Sequence, residues 1–249
     1  MPPQRAMAGR TRRGRRVSAV TAATLLAAAT TAWVSDARVG AQGEPPLDPA
    51  AFSATVDNPL FPISKLRFTR SRGVERTESG RRIALRVEIR VLPRKTRVAG
   101  VPVTVVEDND FENGRLVEHT FDYFAQDRDG NVWYFGERID EYESGRLVGH
   151  EGQWLAGKRG AKPGLFMPAA PKVGAAFAQE NAPGVAEDRT TVLAVGLRVR
   201  TPARVFRGCI KVRDFSPLDR ATEFKYYCPG VGIAREIESG ARFDIVSFG

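Results

Sequence analysis

The sequence predicts an all-β or mainly β protein built as an antiparallel meander. Segments rich in Val, Ile, Phe, Tyr and Thr, with strand-like alternation, dominate the chain beyond residue 66. Short turns that contain Gly separate these segments, and Gly supplies the positive φ that tight hairpin loops require. Patterns with a helical period are scarce over the same part of the chain.

The first 41 residues have the three parts of a secretory signal peptide. Six arginines within residues 5–16 form a positive region, residues 19–34 are apolar and uncharged, and Val39 and Ala41 fit a cleavage site after Ala41. The apolar run is shorter than the roughly 20 residues that span a bilayer, which favours cleavage over an uncleaved membrane anchor. We therefore expect export, to the periplasm or the cell exterior, with membrane contact only if the leader is retained.

The charge of the whole chain is misleading because much of it lies in this leader. The whole chain has 38 basic and 29 acidic residues; without the leader's seven and one, 31 and 28 remain, a net charge of +3. The sequence pI of about 10.0 is thus largely a property of the leader. No clustered basic run is left in the sequence, so we do not expect a nucleic-acid partner.

The exported part is expected to form one domain. Residues 42–51 contain Pro and Ala without periodicity and predict a flexible tether, and residues 52–249 predict a single antiparallel β domain. The predicted strands are residues 66–72, 83–91, 101–107, 116–125, 131–139, 147–155, 176–180, 190–195, 209–215, 223–228, 233–238 and 243–247.

A turn motif recurs along the chain. Glu-(Ser/Asn)-Gly stands at residues 78–80, 112–114, 143–145 and 238–240. Around two of these turns, residues 111–119 match residues 142–150 at an offset of 31. The match covers one turn and the start of one strand, so it indicates repeated hairpin chemistry rather than a domain repeat. Residues 101–155 are accordingly predicted to form a four-strand meander.

Cys209 and Cys228 are the only cysteines, and both lie in the exported part. If residues 216–220 form a turn, the two flanking strands place Cys209 directly opposite Cys228. An even count in an oxidising compartment then favours a cross-strand disulfide over two buried thiols. Such a bond would stabilise the fold by about 3 kcal/mol in the chain-entropy model.

An aromatic face of the meander is the predicted ligand-binding surface. With three-residue loops at 112–114 and 128–130 and a two-residue loop at 144–145, Val103, Tyr123, Phe135 and Trp154 fall in one row. Neighbouring rows add Trp133 and Glu137 to the same face. The predicted ligand-binding residues are Tyr123, Trp133, Phe135, Glu137 and Trp154.

Glu137 is the one charged residue on this predicted face. It would anchor the polar head of an otherwise apolar ligand; the alternative puts it at the sheet rim or in an ion pair with Arg. The irregular segment 157–174, with an apolar cluster at 165–167, is predicted to pack on the domain as a lid.

Metal and catalytic sites find little support. His119 and His150 fall in one row with Glu107 and Ile139, about 10 Å apart, which favours a surface or rim pair over a zinc site. Residues 127–131 resemble part of a calcium loop, but a hairpin turn explains them better. The sequence contains no catalytic triad, nucleophile elbow or phosphate loop. We predict no catalytic residue, no metal and no cofactor.

Three stretches resemble an uncharacterised family of exported bacterial β-rich proteins. They are Asn58-Pro59-Leu60-Phe61-Pro62, residues 120–137 with Asp-Gly-Asn-Val-Trp-Tyr-Phe-Gly-Glu, and residues 225–236 with Tyr-Tyr-Cys-Pro-Gly-Val-Gly. That family carries no established activity. The last stretch is also similar to the endings of bacterial envelope proteins with curved antiparallel sheets, which implies a curved meander, half-barrel or barrel-like, of the kind that carries lipoproteins or lipids.

Three functions follow from these observations. The first is a secreted or periplasmic protein that binds an apolar or lipid-like small molecule on the aromatic sheet face. The second is an envelope or extracellular interaction module whose aromatic face is core and which has no ligand cavity. The third is an uncharacterised hydrolase, for which clustered acids in one pocket, or His119 with His150, would be the sign.

Overall fold

The computed structural model describes residues 47–77, 79–238 and 240–249. The predicted signal peptide and residues 42–46 of the predicted tether lie outside the described residues. Two 3-10 helices, Pro49–Ala51 and Ile63–Lys65, are the helical elements of this part of the chain. The first of them lies inside the predicted tether, where the Asp48 carboxylate accepts the Ala50 N–H at 2.9 Å. None of the described helices is long and apolar enough to cross a membrane.

The described residues form one antiparallel sheet of 15 strands, which confirms the predicted all-β class and the curved meander. Every predicted strand overlaps an observed one. The strands are β1 (Phe52–Ser53), β2 (Phe68–Arg76), β3 (Arg82–Val98), β4 (Val101–Glu112), β5 (Arg115–Asp127), β6 (Val132–Glu143), β7 (Arg146–Gly149), β8 (Trp154–Leu155), β9 (Gly164–Met167), β10 (Ala176–Ala178), β11 (Arg189–Arg200), β12 (Val205–Phe215), β13 (Thr222–Cys228), β14 (Gly232–Glu238) and β15 (Ala241–Phe248).

The sheet curls on itself without closing into a barrel. Its order is β10-β11-β12-β13-β14-β15-β2-β3-β4-β5-β6-β7, with β1 paired to β5 and with β8 and β9 paired to β6. Side chains alternate between two faces along each strand. We call the face that carries Val87, Val106 and Thr120 the inner face, and the face that carries Arg86, Glu107 and His119 the outer face.

The repeated turn motif gives two matching hairpins. Asn113-Gly114 and Ser144-Gly145 are two-residue turns with positive φ at both positions, 49° and 80° in the first and 52° and 79° in the second. A β-bulge follows in each hairpin at the equivalent place. The two-residue loop predicted at 144–145 is confirmed, and the three-residue loop predicted at 112–114 is wrong, because Glu112 pairs with Arg115.

The predicted rows of the meander are therefore only partly correct. Ala125 does pair with Trp133, but Tyr123 lies opposite Val105 rather than Val103. Trp154 pairs with Glu137 rather than with Phe135. The shorter turn and the bulges along β4–β6 each displace the register, which strict alternation does not anticipate.

Gly136 is the residue that reverses the faces of β6. Its φ is 112°, and the β5–β6 register shifts beside it, between Asp122 and Phe124. A Cβ built on Gly136 would stand 2.3 Å from the Trp154 carbonyl oxygen, so glycine is required both by conformation and by space. As a result Tyr134 and Glu137 lie on the inner face and Phe135 on the outer face.

The hairpin β12–β13 agrees with prediction throughout. Ile210 pairs with Tyr227 and Phe215 with Thr222, in one uninterrupted register. Cys209 and Cys228 form the predicted disulfide, with their Cα atoms 4.2 Å apart. Both cysteines are fully buried in a small core that also contains Ile245. The disulfide links β12 to β13 beside the N-terminal loop. In that loop the Pro59 carbonyl accepts the Gly230 N–H at 2.9 Å.

The predicted lid segment packs onto the core. Residues 164–167 form β9, which pairs with β6 through Val132 and Met167. Met167 is 1% exposed and Phe166 8%. Phe166 and Met167 of the apolar cluster at 165–167 are therefore part of the main hydrophobic core.

Candidate ligand-binding cavity

A cavity of about 190 Å³ lies against the inner face of the sheet. Eight neighbouring strands, from β13 through β2 to β6, contribute side chains to it, because the curl turns their inner faces toward one another. The N-terminal loop, β9 and the segment between β10 and β11 close the remaining side. The volume corresponds to about 13–19 water molecules at 10–15 Å³ each.

One end of the cavity is aromatic. Phe61 of the N-terminal loop packs against Phe124 and Phe166 with ring centroids 5.0 and 4.6 Å apart. Phe124 stacks on Tyr134 at 4.9 Å. We call Phe61, Phe124, Tyr134 and Phe166 the aromatic cluster; it offers both ring faces and ring edges to a ligand.

The rest of the cavity is acidic. Ten of its lining residues are carboxylic acids, and Lys225 is the one cationic residue among the described lining. The acids are Asp108, Glu118, Asp122, Glu137, Glu141, Glu151, Glu180, Asp188, Glu223 and Glu236. This excess of negative charge in a partly buried space is far from the near balance of charge in the sequence beyond residue 41.

Acids meet the aromatic cluster at Tyr134. The Tyr134 hydroxyl donates to Asp122 at 2.5 Å. Burial, together with the charges of Asp122 and Glu137, raises the pKa of Tyr134 well above its usual value. Tyr134 therefore stays protonated at every physiological pH and keeps its hydroxyl as a donor.

Lys225 neutralises part of the opposite wall. Its Nζ lies 3.1 Å from an Asp214 carboxylate oxygen and 3.0 Å from one of Glu223. Burial lowers the pKa of Lys225, but the charges of Glu223 and Asp214 outweigh it and hold that pKa well above the usual value. Lys225 is thus a fixed positive charge inside an acidic wall.

Two further groups of carboxylates mark where the negative charge is concentrated. Oxygens of Glu223, Glu236 and Glu238 lie within 4.8 Å of one another. On the other wall, burial and then the charges of Glu118 and Glu151 raise the pKa of Glu141. Each group places several carboxylates close together, which favours the approach of a positive charge.

Two buried donors near the cavity have no hydrogen-bond partner among the described residues. They are the Tyr227 hydroxyl and the Trp154 Nε1. Tyr227 is 1% exposed and contacts Phe61 and Phe166, and Trp154 packs edge-on against Tyr134 at 5.4 Å. Buried donors without partners are uncommon in folded proteins and draw attention to the space beside them.

The five predicted ligand-binding residues are divided between the two faces. Glu137 lines the cavity and is 8% exposed, so it is neither at a rim nor on the surface. Trp133 and Phe135 lie on the outer face under Phe52, whose ring centroid is 6.2 and 5.5 Å from theirs.

Tyr123 and Trp154 complete the set. Tyr123 is buried on the outer side of β5, and Trp154 stands behind Tyr134. The four aromatic residues are thus core residues that do not line the cavity, because the turn and bulges displaced the predicted rows.

The cavity is lined instead by the aromatic cluster and, besides Glu137, by nine acids that the sequence pattern does not single out. The signal was present in β5, where Glu118, Thr120, Asp122 and Phe124 alternate with His119 and Tyr123. A face that carries so many acids is typical of the solvent side of a sheet, yet the curl of this sheet turns it inward.

The other candidate groups lie away from the cavity. His119 and His150 are on the outer side, and both lie next to Asp140. The Asp140 carboxylate is 3.9 Å from the His119 Nδ1 and 2.9 Å from the His150 Nδ1. The His119 Nε2 is 3.2 Å from the Glu107 carboxylate. The predicted row of histidines is displaced, since His119 pairs with Asn109 and Asp140.

The acidic turn at residues 127–131 is held by its own side chains. The Asp127 carboxylate accepts the backbone N–H groups of Asp129 and Asn131 and the Trp133 indole N–H at 2.8–3.0 Å. These bonds use the carboxylate as the organiser of a hairpin, in agreement with the interpretation of this motif as a turn.

Fold and cavity together define a class: an antiparallel β protein whose curled sheet encloses an acidic and aromatic cavity. Comparisons with protein-family models, with curated proteins and with solved structures found no match. The function therefore has to be argued from the cavity itself.

Proposed function

We propose that the protein is an exported binding protein for a small organic cation that has an apolar body. The single observation that carries this proposal is the lining of the cavity, ten acids and one lysine around an aromatic end. The sequence predicts an apolar or lipid-like ligand, and the acidic lining of the cavity adds a positive charge to that ligand.

The negative charge of the cavity is the stronger support for a cationic ligand. A cleft lined by one sign of charge with low-dielectric walls concentrates ligands of the opposite sign. At an effective dielectric constant of 20, one carboxylate about 5 Å from a ligand cation contributes about 3 kcal/mol before desolvation. Glu137 and Glu141 lie on β6, and Glu223 lies on β13 at the other end of the eight strands that line the cavity, so a cation would be attracted from two sides.

The aromatic cluster supports the apolar half of the proposal. Aromatic faces attract cations, and quaternary ammonium groups are commonly recognised by several aromatic rings together. Tyr134 is both a member of the aromatic cluster and a neighbour of Asp122 and Glu137. A ligand whose cation meets Tyr134 would lay its apolar body along Phe61, Phe124 and Phe166.

Export rests on the leader and on the disulfide. The signal-like residues 1–41 are a sequence feature, and the Cys209–Cys228 bond agrees with an oxidising compartment. Both observations are consistent with a ligand met outside the cytoplasm.

Titration calorimetry with octyltrimethylammonium tests the proposal. We expect this cation to bind at least tenfold more tightly than 1-nonanol or nonanoate, and binding to weaken as salt is added. Glu137→Gln should lower the affinity for the cation about tenfold. Glu143→Gln removes the same charge from an exposed turn and is the matched control. Equal binding of the cation and the anion would overturn the proposal.

A second function is favoured by one observation, the hydrogen bond of Tyr134 to Asp122 close to Glu137 and Glu180 in one pocket. Clustered acids are what a hydrolase using general acid and base catalysis needs. A panel of chromogenic glycosides and esters tests it. Turnover that Asp122→Asn abolishes while cation binding persists would support the hydrolase function. The absence of turnover across the panel would count against it and in favour of the binding function.

A further inference from the structure

The outer face of the sheet carries the opposite charge from the cavity. Rows of directly paired residues cross the strands there, and one row reads Lys211, Tyr226, Arg235, Asp244, Arg72, Arg86 and Phe111 from β12 to β4. The next row adds Arg213 and Arg242. We call the six cations Lys211, Arg213, Arg235, Arg242, Arg72 and Arg86 the basic strip.

The basic strip runs perpendicular to the strands. The six neighbouring strands from β12 to β3, at about 4.8 Å spacing, make it about 24 Å long. Arg72, Arg213 and Arg242 are exposed, and the other three cations are half-buried. The inner residues of the same strands, such as Lys225, Glu236 and Phe243, line the cavity, so alternation fixes the strip on the other side.

Carboxylates on this face leave a positive excess. Asp244 is shared by Arg235 at 2.6 Å and Arg242 at 2.6 Å. Glu88 is likewise shared by three arginines, Arg70 at 2.8 Å, Arg90 at 3.8 Å and Arg86. Because one carboxylate serves two or three guanidinium groups, the arginines are oriented but not neutralised.

Aromatic rings hold the cations in place. Lys211 Nζ lies 4.4 Å from the ring centre of Phe224, and the Arg86 guanidinium lies 3.6 Å from that of Phe111. Rings covered in this way do not offer free faces for stacking bases, which single-stranded nucleic acids require. What the basic strip presents to a partner is a line of positive charges.

The shape of the face narrows the partner further. The outer side of a curled sheet is convex, so a flat bilayer would touch it only locally, whereas a flexible chain follows the curve. We infer that the basic strip binds an anionic polysaccharide, whose carboxylate or sulfate groups pair with the guanidinium groups of Arg72, Arg86 and Arg242. This inference goes beyond the cavity function and uses none of its residues.

Fluorescence anisotropy with labelled heparin and with labelled polygalacturonate tests the inference and separates sulfate from carboxylate recognition. We expect at least one of the two to bind and neutral dextran not to bind, with affinity falling as salt rises. The double variant Arg72→Gln with Arg242→Gln should lose at least about tenfold in affinity. Binding of octyltrimethylammonium by the same variant should be unchanged, which separates this inference from the cavity function.

A charge-matched control distinguishes the strip from net charge. Arg115→Gln with Arg146→Gln removes two exposed arginines from hairpin turns outside the basic strip and should bind as the wild type does. Should the first double variant not fold, Lys211→Gln with Arg213→Gln takes its place. Equal losses in strip and control variants would overturn the inference, as would tighter binding to oligothymidylate or to phosphatidylglycerol vesicles than to either polysaccharide.

Discussion

Replacing Lys225 with Met should lower stability and raise affinity for a cation at the same time. Asp214 is 2% exposed, so its carboxylate would lose its 3.1 Å partner in a dry environment. Breaking a buried ion pair costs about 3–5 kcal/mol, and the partial exposure of Lys225 and Glu223 argues for the lower end, about 3 kcal/mol. For a domain of this size that corresponds to a fall in Tm of roughly 6–12 °C.

The same substitution makes the cavity more negative by one charge. Removing a positive charge that lies about 10 Å from a ligand cation makes the binding free energy of that cation more favourable by about 1.7 kcal/mol, at an effective dielectric constant of 20. We therefore expect the affinity for octyltrimethylammonium to rise on the order of tenfold. A merely structural lysine would change stability and leave this affinity as it was.

Urea unfolding and titration calorimetry measure the two effects. Lys211→Met, on the outer face of the adjacent strand, is the matched control and should lose no more than about 1 kcal/mol. Adding Asp214→Asn to Lys225→Met should restore most of the stability, because it removes the orphaned charge.

The pH dependence gives the sign of the Lys225 contribution. Since the pKa of Lys225 is raised in the folded state, its stabilisation is complete below the unfolded value of about 10.4 and is lost as pH rises through the folded value. The difference between wild type and Lys225→Met should thus be constant from neutral to mildly alkaline pH. A variant as stable as the wild type, or one with weaker cation binding, would refute this reasoning.

Three further predictions concern the fold. Replacing both Cys209 and Cys228 with Ser should lower the free energy of unfolding by about 3 kcal/mol, measured by urea unfolding. Adding a reductant should destabilise only the wild type. Gly136→Ala should prevent folding or destabilise the protein by well over the roughly 1 kcal/mol expected for the control Gly145→Ala. A Cβ on Gly136 would meet a backbone oxygen at 2.3 Å, whereas a Cβ on Gly145 would meet nothing within 4 Å. Equal Tm values for the two variants would contradict this geometry. Glu141→Gln should raise Tm at neutral pH, because the raised pKa of Glu141 means that its ionisation opposes folding. The gain in Tm should vanish below about pH 4, where the carboxyl group is protonated in both states. A lower Tm at neutral pH would count against repulsion between Glu141 and its acidic neighbours.

The sequence predicts some registers better than others for a physical reason. The hairpin of Cys209 and Cys228 has no bulge, so counting from its turn gives the observed pairs. In the meander the turn at Asn113-Gly114 is one residue shorter than assumed, and Gly136 inserts a bulge. Each such event is decided by a contact with a neighbouring strand, which a single sequence does not display.

The cavity was hidden for a related reason. Sequence reasoning assigns acids to solvent and aromatic residues to a cavity, but the curl of this sheet reverses that assignment along β5 and β6. Glu137 lines the cavity, on a face that it reaches through the Gly136 bulge. Phe61 and Phe166 come from distant segments, and their meeting with Phe124 depends on the tertiary fold.

The open curl has a mechanical consequence. Where β9 approaches the segment after β10, the backbones meet through contacts such as the Lys162 N–H to the Asn181 carbonyl, at 2.8 Å, instead of a strand ladder. A seam of this kind can part at the cost of few hydrogen bonds, while the long ladder between β3 and β4 stays intact. We therefore expect amide exchange at Lys162 to be faster than along that ladder, and to slow when a ligand fills the cavity.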